Sequence, residues 1–257
     1  MSRWVRFLTA EGTAALGRLE AHGIAEYRGD LFDGPVASGR MVDESAVQLL
    51  APCTPSKVIG LWNNFRAMGA KLGKAAPQHP LFFLKPGSSV IGTGAPIRRP
   101  ARYGGKIVFE GELGLVVGAR CANVSPADAE RYIFGYTCVN DVTAAELIGE
   151  DANFEQWCRA KGCDTFSCLG PAIATTLDWA SARLISTVDG VERQNYPLSD
   201  MIFAPPEALS RISGDMTLFP GDVIACGTSL GAGSIREGAT VCIRIEAIGE
   251  LCNRLVG

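Results

Sequence analysis

Glycine and proline constrain this chain more than any other feature. With 30 Gly and 14 Pro in 257 residues, they cut it into short apolar runs bounded by turn residues. Lys57–Trp62, Pro80–Lys85, Ile107–Val117, Ile133–Val139, Asp222–Gly227 and Val241–Ile248 are such runs, and their length and Val/Ile/Leu/Phe content predict strands. Helix signals are fewer. Ser125-Pro126-Ala127-Asp128 sets a serine at the N-cap, a proline at the first helical position and an acid in the first turn, which predicts a short helix to about Ile133. Pro205-Pro206-Glu207-Ala208-Leu209 starts a second that stops before Gly214, and Pro220-Gly221-Asp222 is a turn feeding a strand.

The first fifty residues have scattered charges and glycines at 12, 17, 23, 29, 34 and 39. The alternation in Ile24-Ala25-Glu26-Tyr27-Arg28 fits short strands better than a helix over Ala14–His22. The expected architecture is α+β and β-dominated. A small β-rich N-terminal domain over residues 1–53 ends at the proline-marked connector near Leu50–Pro55, and a larger domain over 54–257 follows.

Charge and composition exclude several function classes. The 24 Lys+Arg against 27 Asp+Glu give a net charge of −3, with 47% hydrophobic residues. That balance is too apolar for a disordered chain and lacks the basic excess of a nucleic-acid binder. No apolar run approaches the ~20 residues that span a bilayer, and Met1-Ser2-Arg3-Trp4-Val5-Arg6 puts charges where a signal peptide needs apolar residues. The expectation is a soluble cytoplasmic protein. Nine cysteines, an odd count without a secretory signal, predict reduced thiols. Cys158, Cys163 and Cys168 recur every five residues, but zinc sites use shorter Cys pairs with a second pair or histidines, so these read as core side chains.

The chemically informative stretch is Phe109-Glu110-Gly111-Glu112-Leu113-Gly114-Leu115-Val116-Val117-Gly118. Strand alternation turns Glu110 and Glu112 to the same face. Two like charges in an otherwise apolar strand face either water or a cation. A third carboxylate, Asp141, follows another apolar run, Tyr132–Asn140, in a similar setting. Three carboxylates without His or Cys nearby suit a hard cation with oxygen ligands, Mg²⁺ or Mn²⁺ rather than Ca²⁺. On patterning alone a solvated acidic face is the commoner outcome.

Five segments in register resemble the fumarylacetoacetate hydrolase superfamily. They are Phe83-Leu84-Lys85-Pro86; the strand with Glu110 and Glu112; Gly135-Tyr136-Thr137-Cys138-Val139-Asn140-Asp141; Lys161-Gly162-Cys163-Asp164-Thr165-Phe166 with Gly170-Pro171; and Pro220-Gly221-Asp222-Val223-Ile224-Ala225-Cys226-Gly227-Thr228. The resemblance covers Pro55 to the C-terminus and implies a mixed β-sandwich roll, usually a homodimer. It also implies Mg²⁺ or Mn²⁺ on Glu110, Glu112 and Asp141, an active-site Lys161, and Thr228 against a substrate carboxylate. The implied substrates are small 2-oxo acids, diketo or unsaturated dicarboxylic. The implied reactions are hydrolytic C–C cleavage, decarboxylation, isomerisation or hydration, with the ion as Lewis acid for an enolate.

The chain departs from that pattern at the His-x-x-Glu pair that hydrolytic members carry on a mobile segment after the first catalytic strand. Aligned on Asn64-Phe65, Met68 takes the histidine's place and Lys71 the glutamate's; neither activates water. Of the two histidines, His22 lies in the leading domain and His79 precedes a strand near the site. A second departure is Ala145, where many relatives carry arginine. The missing dyad favours decarboxylation or isomerisation over hydrolysis, and the basic cluster Arg66, Lys71 and Lys74 reads as a binding surface for a di- or tricarboxylate or as a solvated helix face. A non-catalytic, metal- and ligand-binding homologue is the alternative from another class. Gly227-Thr228-Ser229-Leu230-Gly231 matches a serine nucleophile elbow, but no histidine follows position 79. A dinucleotide site lacks its glycine spacing.

Overall fold

The structure, a computed structural model, describes residues Met1–Gly257. Strand takes 43% of the residues and helix 15%, inverting the usual excess of helix. The leading segment supplies β1 (Arg3–Leu8), β2 (Ala14–Glu20), β3 (Gly23–Arg28), β4 (Val36–Val42) and β5 (Gln48–Leu50). After the connector come β6 (Lys57–Trp62), helix α1 (Arg66–Leu72), β7 (Leu81–Pro86), β8 (Val90–Ile91) and β9 (Ile97–Arg98). The middle of the chain holds β10 (Ile107–Phe109), β11 (Gly111–Val117), β12 (Ile133–Asp141), β13 (Thr143–Ala144), α2 (Trp157–Lys161) and β14 (Ser167–Ala174). The last third adds β15 (Arg183–Val188), β16 (Val191–Pro197), α3 (Pro205–Asp215), β17 (Val223–Ala225), β18 (Gly233–Ile235), β19 (Thr240–Ile245) and β20 (Gly249–Val256).

Twelve of these strands form one sheet, in the order β4-β3-β2-β1-β14-β12-β11-β17-β6-β7, with β5 beside β1 and β8 beside β14. Its centre packs against a five-stranded sheet, β16-β15-β19-β20-β9, and a three-stranded sheet, β13-β10-β18, completes the roll. Most pairs are antiparallel; β17–β6, β14–β8 and β20–β9 are parallel. Leu113, Leu115 and Val117 of β11 enter the core between the sheets with Ile243, Ile245 and Leu251. Val116 faces the other way and packs with Val139, Leu169 and Ile173 beneath Leu16, Leu31 and Ala51 of the leading segment. Burial on both faces is why these strands read as near-continuous apolar runs.

Several elements differ from expectation. Ile107–Val117 is two strands in two sheets, because Glu110 leaves the ladder: its N–H donates to Asn140 Oδ1 (3.2 Å) and its carbonyl accepts from the Asp141 N–H (2.9 Å). The segment after Ser125 is a turn and a 3₁₀ stretch, Ala129–Tyr132, closed by Ser125 donating its hydroxyl to Asp128 Oδ2 at 2.7 Å. That local ring offers the backbone an alternative to a helix. Helix α3 runs past Gly214 to Asp215, its Met216 N–H still bonded to the Ile212 carbonyl. The cysteines also depart from the all-reduced reading. Register places Cys242 opposite Cys252, with Cα atoms 4.1 Å apart, and the two form a disulfide; the other seven are free.

Asp222, at the turn into β17, is fully buried and gathers donors from two segments. Ser56 N–H, Ser56 Oγ and Lys57 N–H reach Oδ1 at 3.0, 2.6 and 3.2 Å, and Phe219 N–H reaches Oδ2 at 2.9 Å beside the Lys57 ammonium. Asp222→Ala leaves those donors without an acceptor and is expected to destabilise the fold by about 3–5 kcal/mol. Urea denaturation with an unchanged m-value measures this; a loss under ~1 kcal/mol would mean that the turn is held by its backbone alone.

Candidate metal centre and active site

Glu110, at the break between β10 and β11, Glu112 one alternation further on, and Asp141, at the end of β12, converge. One carboxylate oxygen from each lies within 4.8 Å of the others. Gly111 between the glutamates is held from three sides. Its N–H donates to Gln194 Oε1 (3.0 Å), and its carbonyl accepts from the Tyr196 hydroxyl (2.6 Å) and the Thr228 hydroxyl (2.9 Å). A Cβ at position 111 would sit 2.9 Å from both Gln194 Oε1 and Ile243 Cδ1, so a larger residue there displaces the Gln194 amide from its place. Thr228 Oγ1 accepts in turn from Gln194 Nε2 at 2.8 Å. Gln194, reaching in from β16, thus ties the second sheet to the backbone between the two acids.

Two buried lysines close the other side. Lys161, the last residue of α2, donates from Nζ to Glu110 Oε1 at 2.9 Å and to Asp141 Oδ2 at 2.7 Å. Lys85, on β7, pairs with Asp141 Oδ1 and donates to the Val142 carbonyl at 3.2 Å. Thr143 Oγ1 donates to Glu110 Oε1 at 2.9 Å, and the Gly227 N–H to Glu112 Oε2 at 2.8 Å. Burial opposes the charged form of Lys161, but Asp141, Glu110 and Glu112 override it and hold its ammonium above the ordinary lysine range. Burial also works against ionised Asp141, and its two lysines more than offset that, so its carboxyl sits below the usual carboxylate value. Glu112 goes the other way. Burial, reinforced by repulsion from Asp141 and Glu110, raises it well above a normal glutamate.

Glu112 Oε1 is buried and has no hydrogen-bond partner in the protein. A buried carboxylate oxygen left orphaned beside two further carboxylates is a poor arrangement on its own. A divalent cation corrects it, and an all-oxygen donor set is that of a hard ion. The three acids therefore fit the metal they are expected to hold. The other close group of potential ligands, Cys242, Glu250 and Cys252, contains the disulfide, and Cys158, Cys163 and Cys168 form no such group.

A cavity of about 180 Å³ opens beside Glu110 and Lys161. Its wall includes Trp62, Met68, Leu72, Phe83, Trp157 and Thr228. Trp157 stacks on Phe83 with centroids 5.6 Å apart, and the Lys161 ammonium stands 5.0 Å from the Phe83 centroid. Thr228 and Lys161 thus share one site with the acids. Arg66 and Lys71 are not among the residues that line it. Arg66 turns its guanidinium to the Asp200 and Met201 carbonyls (3.2 and 2.5 Å), Lys71 is exposed, and Asp200 Oδ2 accepts the Ala67 N–H at the start of α1. His22 and His79 are exposed. Lys85, Gln194 and Trp157 were given no role by the sequence reading; for Lys85 the Phe83–Pro86 segment was a signal, whereas nothing local marks Gln194.

Two family models cover the chain: "Fumarylacetoacetate (FAA) hydrolase C-terminal" matches residues 57–256 and "Rv2993c-like, N-terminal" matches residues 2–52. The chain belongs to the fumarylacetoacetate hydrolase family. Within it, the chain is 42% identical over 241 residues to Protein Rv2993c of Mycobacterium tuberculosis, covering 93% of this chain and 88% of that protein. The fold superposes on a 2-hydroxyhepta-2,4-diene-1,7-dioate isomerase from Mycobacterium marinum with a TM-score of 0.90 at 38% identity, over 100% of this chain and 98% of that one. It also superposes on maleylpyruvate hydrolase from Sphingobium sp. SYK-6, bound to manganese(II) and pyruvate, with a TM-score of 0.79 at 27% identity, over 99% and 98% of the two chains. The family thus contains isomerases and hydrolases, and one relative holds a divalent ion. No helix here is long and apolar enough to cross a membrane.

Proposed function

We propose that this protein is a divalent-metal-dependent enzyme that decarboxylates or isomerises a small 2-oxo acid by way of an enolate. Glu110, Glu112 and Asp141 would hold Mg²⁺ or Mn²⁺, which supplies Lewis acidity toward a 2-oxo carboxylate when bound. The observation that carries the reading is the composition of the cavity wall: Glu110 and Lys161 are its titratable residues, and Met68 stands there with no imidazole.

Loss of CO₂ from a carboxyl group on C3 leaves its bonding pair to spread onto the 2-oxo oxygen with no proton to place, whereas loss of a C3 proton needs an acceptor, for which Glu110 is the carboxylate on the cavity wall. The Lys161 ammonium, kept charged by its carboxylate neighbours, faces that developing charge from a site screened from water by Trp62, Phe83 and Trp157. Gln194 and the Gly111 carbonyl hold the Thr228 hydroxyl in place, and to orient the substrate's carboxylate end it would turn its one proton from that carbonyl to the substrate. Hydrolysis asks for something more, a base that takes a proton from water, and neither Met68 nor the exposed Lys71 is one. The isomerase relative supports this choice and the hydrolase relative shows how near the other lies.

The test is the purified full chain with Mg²⁺, followed by NMR for C3 hydrogen exchange and CO₂ release from oxaloacetate and for water-dependent cleavage of acylpyruvates. Exchange or CO₂ release without cleavage is expected; fast cleavage would overturn the reading. Restoring the dyad with Met68→His and Lys71→Glu together is expected to raise the cleavage rate by ~10²-fold, the usual contribution of one positioned base.

A further inference from the structure

We infer that Tyr196 is a positioning residue: its hydroxyl covers the Gly111 carbonyl and so frees the Thr228 hydroxyl to turn its proton to the substrate's carboxylate. The inference rests on the 2-oxo acid reading above and deepens it by naming what releases that proton.

Strand β16 buries two side chains, Gln194 and Tyr196; alternation sets them on one face, and the residues between and beside them are exposed. The Gln194 amide has no freedom left. Its Oε1 accepts from the Gly111 N–H and the Ser186 hydroxyl, both at 3.0 Å. Its Nε2 donates to the Ser229 carbonyl at 3.1 Å and to Thr228 Oγ1 at 2.8 Å. A backbone N–H can only donate and a carbonyl can only accept, so the amide cannot be flipped. Thr228 Oγ1 is therefore an acceptor toward Gln194, and the one proton of its hydroxyl points elsewhere, to the Gly111 carbonyl 2.9 Å away. Gly111 is buried, and its carbonyl has a second donor in the Tyr196 hydroxyl at 2.6 Å. A carbonyl oxygen can accept two hydrogen bonds, but one is enough to satisfy it. When Thr228, on the cavity wall, turns its proton to a substrate carboxylate, Tyr196 still covers Gly111. Without the Tyr196 hydroxyl the same turn leaves a buried carbonyl bare, and that penalty holds the Thr228 proton on Gly111. Tyr196 itself is not on the cavity wall, so it acts through Thr228.

Tyr196→Phe removes one oxygen and keeps the ring, which packs edge-on to Phe65 with centroids 5.0 Å apart. The Mg²⁺-loaded full chain, its Tyr196→Phe and Thr228→Val variants and the double variant are titrated with pyruvate, with the fluorescence of Trp62 and Trp157 on the cavity wall as the signal. Tyr196→Phe is expected to weaken pyruvate binding by ~10-fold, the effect of leaving one buried carbonyl unpaired. In the Thr228→Val background it should change binding by less than ~2-fold, because the proton it serves has gone. Calorimetric Mn²⁺ affinity of Tyr196→Phe should match that of the wild type, which also shows that the variant is folded. Unchanged pyruvate binding by Tyr196→Phe, an equal loss in both backgrounds, or weakened Mn²⁺ binding would overturn the inference; the last two would mark a mere brace for Gly111 and its flanking acids. A wild type that binds Mn²⁺ but no pyruvate would overturn the 2-oxo acid reading and this inference with it. The expected binding pattern without exchange or CO₂ release from oxaloacetate would overturn the enolate chemistry and leave the role of Tyr196 standing.

Discussion

Asp141→Ala is expected to abolish binding of the divalent ion and to cost the metal-free fold about 3–5 kcal/mol, the largest combined effect of any single substitution in this chain. The reason is the company Asp141 keeps. Fully buried, it is the shared partner of Lys85 and Lys161, themselves 1% and 2% exposed. Deleting the carboxylate leaves Lys161 with Glu110 alone and Lys85 with only the Val142 carbonyl. Calorimetric titration with Mn²⁺ and urea unfolding of the same variant check both halves. Asp141→Asn should recover part of the stability, because an amide oxygen still accepts a hydrogen bond, but not the ion. Retention of tight Mn²⁺ binding by Asp141→Ala would show that the three acids are not the site.

Lys161→Met is expected to separate chemistry from metal binding. Turnover should fall by ~10²–10⁴-fold, the range for losing one positioned proton donor or oxyanion contact. Affinity for Mn²⁺ should hold or rise, because the ammonium that competes for Glu110 Oε1 and Asp141 Oδ2 has gone. A lysine that merely braced the acids would give the opposite pattern, with weakened metal binding and turnover restored at saturating ion. Steady-state kinetics over a Mn²⁺ series, with kcat read at saturation, distinguishes them.

The sequence made most of the site legible and little of what supports it. Glu110, Glu112, Asp141, Lys161 and Thr228 lie in short segments whose order resembles one family, so each could be named before any coordinates, and the structure brings all five together. Strand alternation put the two glutamates on one face, but it could not show that the chain leaves the ladder at Glu110, since that break is made by Asn140 and Asp141, thirty residues later. Gln194 was invisible for the same reason: its amide acts on Gly111 from the facing sheet, and nothing in its own neighbourhood records that. The basic residues of α1 were visible as a cluster, yet which way a guanidinium turns depends on Asp200 and Met201, far along the chain. The Ser125 segment had the composition of a helix start and spent its hydroxyl on a local ring instead.

The leading segment joins the large sheet through a short seam. Strand β14 presents one side to β12; the other is divided between β8 at Ser167–Cys168 and β1 at Ile173–Ala174. Without residues 2–52 the last part of that side would be a bare row of amides and carbonyls, next to Leu169 and Ile173 stripped of their cover. The leading strands are therefore a continuation of the large sheet, and they cover the part of β14 that β8 leaves open.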